Sequence, residues 1–525
     1  MKTFRLCLAV AGAVLLGAEA HSANIQFANP VLPGDFPDPS IVRVGEDYWA
    51  TATSSEWAPL YPILHSRDLV NWELKGHVFD TKPAWSSANY WAPEIHHFNN
   101  RFYVYYTARE NKFGGRLHLA VATAENPLGP WTDHGPLIGQ EDGSIDAYAV
   151  QDENNEMYLL WKNDGNSRNE PTFIWAQKLS EDGTRLVGDM HKLIRNDSPW
   201  EGNLVEGPAV IRRNGYFYLF YAGNGCCGLH CTYAAGVARS KKLLGPYEKN
   251  PNNPILINNE QWRCPGHGSI VTTADGRDFF LYHAYHSKDT VYVGRQGILD
   301  EIKWGEDGWP VIGKNKTASV EAPSPHGKAQ RLEPEFQDDF SADKLGLQWQ
   351  WSHWTQPEVR LENGHLALRM AEVKTNMHFG AVVGVRTTVG DYAATTVVEN
   401  RLKPGAQAGL FAFGDRQNAL GVLLGDGKIT VLRLQKNIPE VLASAEAPAL
   451  QKIHLRLSAE AGHKFRFSFW NGRDWQALGN SSEGNYLPPW DRGVRVALTV
   501  GGADNAEARF DWIRIVPRTS QYAQQ

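Results

Sequence analysis

The sequence carries no surplus of positive charge. Its 52 Lys and Arg are outnumbered by 58 Asp and Glu, a net charge of −6. That excludes nucleic acid or an anionic membrane as the main partner, since both select basic proteins. Past the first twenty residues, no apolar run approaches the roughly 20 residues that a membrane helix needs. Helical periodicity is missing from the aromatic-rich first half. Charged residues make up only 21% against 42% hydrophobic ones, which excludes a disordered chain. Cysteine is scarce, with five in 525 residues.

What is present points to β structure. The chain exceeds the roughly 250–300 residues at which a single core stops growing, so two domains are expected. Its 49 Gly and 29 Pro suit short strands and tight turns. Its 19 Trp fit either bulky cores or clefts in which flat rings stack on sugars. The first residues form a leader: Lys2 and Arg5, the short apolar run Leu6–Gly17, then Ala18-Glu19-Ala20 as a small-residue cleavage site. The expected mature chain begins near His21, is secreted or periplasmic, and loses Cys7 with the leader. The remaining Cys226, Cys227, Cys231 and Cys264 read as up to two disulfides with three pairings open. A zinc site that includes His230 is the rival reading.

One strand pattern recurs five times, each copy opened by a turn pair. The copies are Tyr48-Trp49-Ala50 after Glu46-Asp47, Phe102–Tyr105 after Asn99-Asn100, Met157–Leu160 after Asn154-Asn155, Tyr216–Phe220 after Asn214-Gly215, and Phe279–Tyr282 after Asp275-Gly276. Asn-Gly and Asp-Gly before aromatic residues are hairpin signals. The spacing of roughly 55–60 residues holds one four-stranded sheet, so five units predict a five-bladed β-propeller.

About eight residues upstream of each turn stand Asp38, Trp91, Asp146, Glu206 and His267. Equivalent positions in the blades should bring them to one mouth of the central channel. Two carboxyl groups flanking a glycosidic bond suffice for hydrolysis, one giving a proton to the leaving oxygen and the other acting while ionised. A third carboxylate can raise the acid's pKa by repulsion. A divalent-metal site is the other use of three carboxylates, but the settings Phe36-Pro37-Asp38-Pro39 and Val205-Glu206-Gly207-Pro208 lack calcium-loop spacing.

These segments resemble glycoside hydrolase family 43. The resemblance lies in Asn29–Ile41, Tyr90-Trp91-Ala92-Pro93-Glu94-Ile95, Gly143–Ala147, Glu206-Gly207-Pro208 and Gly266–Ile270, in order. It implies an inverting hydrolase with Asp38 as general base, Glu206 as general acid and Asp146 tuning and orienting the acid. Trp91 would edge the sugar pocket, and Arg295 would reach the base and the sugar. His267 would help to hold a structural calcium ion, and no cofactor would be required for the chemistry. Glu201 is a rival acid that falls off the repeat. The cysteine-rich loop Asn224–Cys231 departs from the family pattern, and a disulfide to Cys264 could tie it to the channel mouth.

Repetition stops near Trp309. The expected organisation is a propeller over 24–315, a linker over 316–335 and an antiparallel β-sandwich over 336–517. The sandwich resembles the lectin-like (concanavalin A-like) domain of family β-xylosidases, which either packs on the catalytic domain or binds polysaccharide independently. The whole reads as an exported exo-hydrolase of plant-wall xylosyl or arabinofuranosyl units, with a carbohydrate as its partner. A non-catalytic carbohydrate-binding propeller is the rival from another class.

Overall fold

A computed structural model describes residues 25–331, 335–354, 356–370 and 379–518; the expected leader and Cys7 lie outside them. Five four-stranded antiparallel sheets succeed one another in chain order. Their innermost strands are Ser40–Val44, Ser86–Phe98, Ser144–Gln151, Val205–Arg213 and Trp262–Thr272. The five aromatic repeats form the second strands: Asp47–Thr51, Arg101–Glu110, Met157–Asn163, Tyr216–Gly223 and Asp278–His286. Each follows a tight turn with left-handed residues, such as Asn99 and Asn100 (φ 49° and 54°) or Asn214 and Gly215 (φ 49° and 77°). Asn and Gly tolerate this backbone, and its twist matches that of the flanking strands. The propeller and the sandwich expected from the sequence are both present.

The ring is closed by the segment before the first blade. Val31 N–H donates to Gly297 O (2.9 Å) and Gly297 N–H to Leu32 O (3.0 Å), on the third strand of the fifth blade. Asn29 grips that strand with its whole amide, donating to Leu299 O (3.1 Å) and accepting from Leu299 N–H (3.0 Å). The first and last blades are thereby held together without exchanging a strand.

The stretch expected as a linker is docked rather than free. Glu321–Pro323 pairs antiparallel with Gln26–Ala28. Asn71 donates to Ala329 O and accepts from Arg331 N–H, while Tyr48 OH meets His326 Nε2 at 3.0 Å. These polar side chains belong to the propeller rim, so the composition of the stretch could not reveal its partners.

The second domain stacks a nine-stranded sheet on a six-stranded one. Strand Lys452–Glu460 alternates strictly, with Ile453, Leu455 and Leu457 fully buried between the sheets. Each such side chain contributes roughly 1.5–3 kcal/mol by leaving water. The propeller is built into this domain. Trp57 enters the sandwich core beside Phe413, at 6.0 Å and edge-on, and its backbone pairs with Ser352. Asp35, at the entrance to the first blade, meets buried Arg495 at 3.1 Å, and its Oδ2 also accepts Gly493 N–H (3.0 Å). Replacing Asp35 by Ala strands the buried Arg495 cation. The expected cost is about 3–5 kcal/mol, read as a lower denaturation midpoint, whereas Asp47→Ala on the partly exposed rim should change little. Equal midpoints for the two variants would contradict this role for Asp35.

Candidate active site

The inner strands are irregular where they reach the channel mouth. Register breaks occur between Trp91 and Glu94, Ile145 and Tyr148, Glu206 and Ala209, and Gly266 and Gly268. Each blade has a left-handed residue at the mouth itself: Asp38 (φ 50°), Ala92 (36°), Asp146 (61°), Gly207 (58°) and His267 (40°). Such bulges re-aim side chains out of the ladder, and the strain they store is characteristic of functional positions. The constant eight-residue offset is therefore one too long in blades two and four. There Trp91 and Glu206 stand one residue before the structural equivalent. Gly207 is needed twice over, because a Cβ at that position would also lie 2.8 Å from His267 Cγ.

Asp38, Trp91, Asp146, Glu206, His267 and Arg295 line one cavity of about 290 Å³. Asp38 is buried, and both of its oxygens are engaged. Oδ1 accepts from Arg295 Nη1 (2.9 Å) and Oδ2 from Thr53 Oγ1 (2.7 Å). His283 Nδ1 accepts the Asp38 backbone N–H (3.1 Å). Burial alone would raise the Asp38 pKa. The Arg295 guanidinium, reinforced by His267 and His283, outweighs it and holds the carboxyl well below the usual carboxylate range.

Glu206 has a different environment. Oε2 accepts from Lys162 Nζ (2.8 Å) and Oε1 from Tyr233 OH (2.8 Å). Burial acts to raise its pKa, but Lys162 prevails and keeps it below the ordinary value. Asp146 goes the other way: burial, then the Glu206 and Asp38 charges, push it up to about 6 against the pull of His267 and Lys162. Its Oδ2 accepts the N–H of Gly207 (3.0 Å), so it also fixes the backbone beside Glu206. Burial and Lys162 thus push the two carboxyls in opposite directions, and their titrations are linked.

Lys162 and Asp146 thus act on Glu206 with opposite sign. Lys162→Met removes a cation that favours ionised Glu206, so the basic limb of the kcat/KM–pH profile should move to higher pH. Asp146→Asn removes a negative neighbour, so that limb should move to lower pH with a fall in rate at neutrality. Limbs that move together, or not at all, would contradict acid catalysis by Glu206.

The sandwich domain completes the cavity. Trp91 Nε1 donates to Asp491 Oδ2 (3.2 Å), and Arg295 Nη2 donates to Asp491 O (3.0 Å). Trp490 meets Trp91 edge-on at 5.7 Å. Sequence reasoning missed Lys162, Tyr233, Trp490 and Asp491. Lys162 had a faint signal, as the lone cation at the end of an apolar second strand.

Other sequence candidates fall elsewhere. Glu201 is fully buried away from the cavity, held by Lys249 Nζ (2.6 Å), Tyr221 OH (2.7 Å) and the N–H groups of Asp197 and Ser198. Its role is to staple a short turn, not to reach substrate. The cysteines pair as Cys226–Cys227 and Cys231–Cys264, which leaves no thiolate for the zinc alternative with exposed His230. His267 Nδ1 lies 3.5 Å from Asp38 Oδ1 and 3.8 Å from Asp146 Oδ2. Among the described residues no three His, Cys, Asp or Glu side chains form a set able to hold a metal. Calcium takes six to eight oxygens, waters included, so the side chains around His267 do not by themselves form a cage for it.

A propeller mouth that gathers an ionised Asp38 and two further buried carboxyls, Asp146 and Glu206, in one cavity is the equipment of a glycoside hydrolase. The model of "Glycosyl hydrolases family 43" matches residues 27–310, and that of "Beta xylosidase C-terminal Concanavalin A-like domain" matches 337–516. The chain belongs to glycoside hydrolase family 43. It is 32% identical over 419 residues to Xylosidase/arabinosidase 43B of Humicola insolens, covering 75% of each chain. It is 27% identical to the non-reducing end alpha-L-arabinofuranosidase BoGH43B of Bacteroides ovatus, covering 95% of this chain and 97% of that one. Among solved structures it resembles the GH43 protein BlXynB of Bacillus licheniformis, with a TM-score of 0.81, 27% identity, and 94% and 100% of the two chains covered.

Proposed function

We propose that this enzyme is an exported, inverting exo-hydrolase that releases single xylosyl units, or in second place arabinofuranosyl units, from the ends of plant-wall oligosaccharides. The observation that carries exo-action is the wall that the sandwich adds: Asp491 and Trp490 stand against Trp91 and Arg295 on one side of the cavity. A polysaccharide threading through would have to displace the Trp91–Asp491 and Arg295–Asp491 hydrogen bonds. A chain end fits without doing so. Relatives named xylosidase, arabinosidase and non-reducing end arabinofuranosidase support the sugar class. The leader Lys2–Ala20 supports export.

In this scheme Asp38 takes a proton from water as the water attacks the anomeric carbon. Arg295 and Thr53 hold its two oxygens in place. Glu206, when protonated, donates to the leaving oxygen, while Asp146 opposes the pull of Lys162 by its charge and holds the Gly207 N–H beside the acid. Arg295 and Trp91 border the terminal sugar.

The test compares nitrophenyl β-xyloside with nitrophenyl α-L-arabinofuranoside, together with chromatography of products from xylo-oligosaccharides. Xylose as the sole early product, with the xyloside preferred, is the expected result. Early release of longer fragments would overturn exo-action. Preference for the arabinofuranoside would reverse the order of the two sugars.

A further inference from the structure

The loop Asn224–Cys231 holds a feature that the proton chemistry does not use. Cys226 and Cys227, adjacent in sequence, are joined to each other, and both line the catalytic cavity. The loop is firmly staked. Cys231 is bonded to Cys264, three residues before His267. Asn224 Oδ1 accepts Gly225 N–H (3.0 Å) and Thr232 Oγ1–H (2.8 Å), while Gly228 N–H donates to Tyr285 OH (3.3 Å). Cys226 packs beside a buried group that includes Leu204, Tyr233 and Cys264.

A disulfide between neighbours removes both thiol donors and carries no charge. It offers two polarizable sulfurs on a short ring that cannot rotate away. That surface suits the apolar C–H face of a sugar ring and makes no demand for hydrogen bonds. Its place in the fold says which sugar. Glu206 pairs in register with Ala222, and the chain runs only four residues from Ala222 to Cys226. The acid protonates the leaving oxygen, so the space beside its own blade belongs to the leaving group. The same loop reaches the sandwich, since a Cβ on Gly228 would come within 3.9 Å of the carbonyl oxygen of Trp490, a residue that is 60% exposed.

Building on the exo-hydrolase reading, we infer that the Cys226–Cys227 disulfide is a specificity-determining platform that contacts the apolar face of the leaving sugar. The test is the double variant Cys226→Ser/Cys227→Ser on two substrates. Xylobiose has a leaving sugar, and β-xylosyl fluoride has none. Loss of one apolar contact lowers kcat/KM for xylobiose by about ten-fold or more, and the fluoride changes by less than about two-fold. An unchanged ratio between the substrates overturns the platform, and so does an equal fall on both in a variant that still melts cooperatively. Wild-type protein inactive on both substrates overturns the exo-xylosidase reading instead.

If the variant does not fold, wild-type protein treated with a phosphine reductant replaces it. Cys231 and Cys264 are 4% and 0% exposed, so the cavity-facing pair is reduced first, counted as two free thiols. A fall confined to xylobiose, reversed on reoxidation, supports the platform. Two thiols with an unchanged ratio overturn it.

Discussion

Replacement of Glu206 by Gln is expected to cut hydrolysis of xylobiose by at least 10²–10⁴-fold, the usual range for a general acid. The amide is isosteric; its oxygen can still accept from Lys162 and its NH2 can donate to the Tyr233 hydroxyl oxygen, so the pocket should keep its shape. What it lacks is a transferable proton. A leaving group that departs as a stable anion has little need of one, so an aryl xyloside with a good leaving group should lose far less activity. The structure adds a second expectation. The wild-type basic limb marks loss of the Glu206 proton, and its position is set by neighbours such as Lys162. In the Gln variant the basic limb should disappear from the residual activity toward the aryl substrate, since the acid that titrated is gone. Steady-state rates on both substrates, followed across pH, decide this. Equal losses on the two would remove Glu206 from the acid role.

The parts of the site that the sequence revealed share one origin. They lie on inner strands, where the repeat places equivalent residues at one mouth. The aromatic second strands set the period, and Asn-Gly or Asp-Gly turns marked the hairpins. Counting back from the turns located five channel-mouth residues to within one position. The residual error in blades two and four comes from the bulges, which insert a residue without altering the composition of the strand. What stayed hidden came from other layers. Lys162 lies on a second strand, where a lone cation at the end of Leu159-Leu160-Trp161 has no period to mark it. Trp490 and Asp491 come from a loop of the other domain, about 180 residues beyond the repeat, and no local pattern says that this loop folds over the propeller. The domains themselves were legible because strand alternation and the end of the repeat are local signals. Their fusion through Trp57, Asp35 and Arg495 was not, because a long-range pair leaves no trace in either segment. The cysteine pairing stayed open for the same reason: spacing permits three connectivities, and only the approach of the blade-four loop to Cys264 selects one.

Replacement of Asp38 by Asn is expected to abolish turnover, by about 10²–10⁴-fold or more, while leaving sugar binding nearly intact. The local structure supports a clean loss. Asp38 is left-handed (φ 50°), a conformation that Asn adopts as readily as Asp. The backbone N–H to His283 survives. The amide oxygen can replace either carboxylate oxygen as an acceptor. Arg295 loses its counter-charge but keeps the Asp491 carbonyl at 3.0 Å, so the guanidinium stays where the terminal sugar would meet it. The loss should therefore appear in kcat, with the product-binding constant measured by calorimetry changing little. The wild-type reaction carries the complementary signature. If Asp38 activates water instead of attacking the sugar, the first xylose released from a β-linked substrate is the α-anomer, visible by NMR before mutarotation. β-Xylose appearing first, or a glycosyl adduct on Asp38 found by mass spectrometry, would make Asp38 a nucleophile and overturn the inverting scheme.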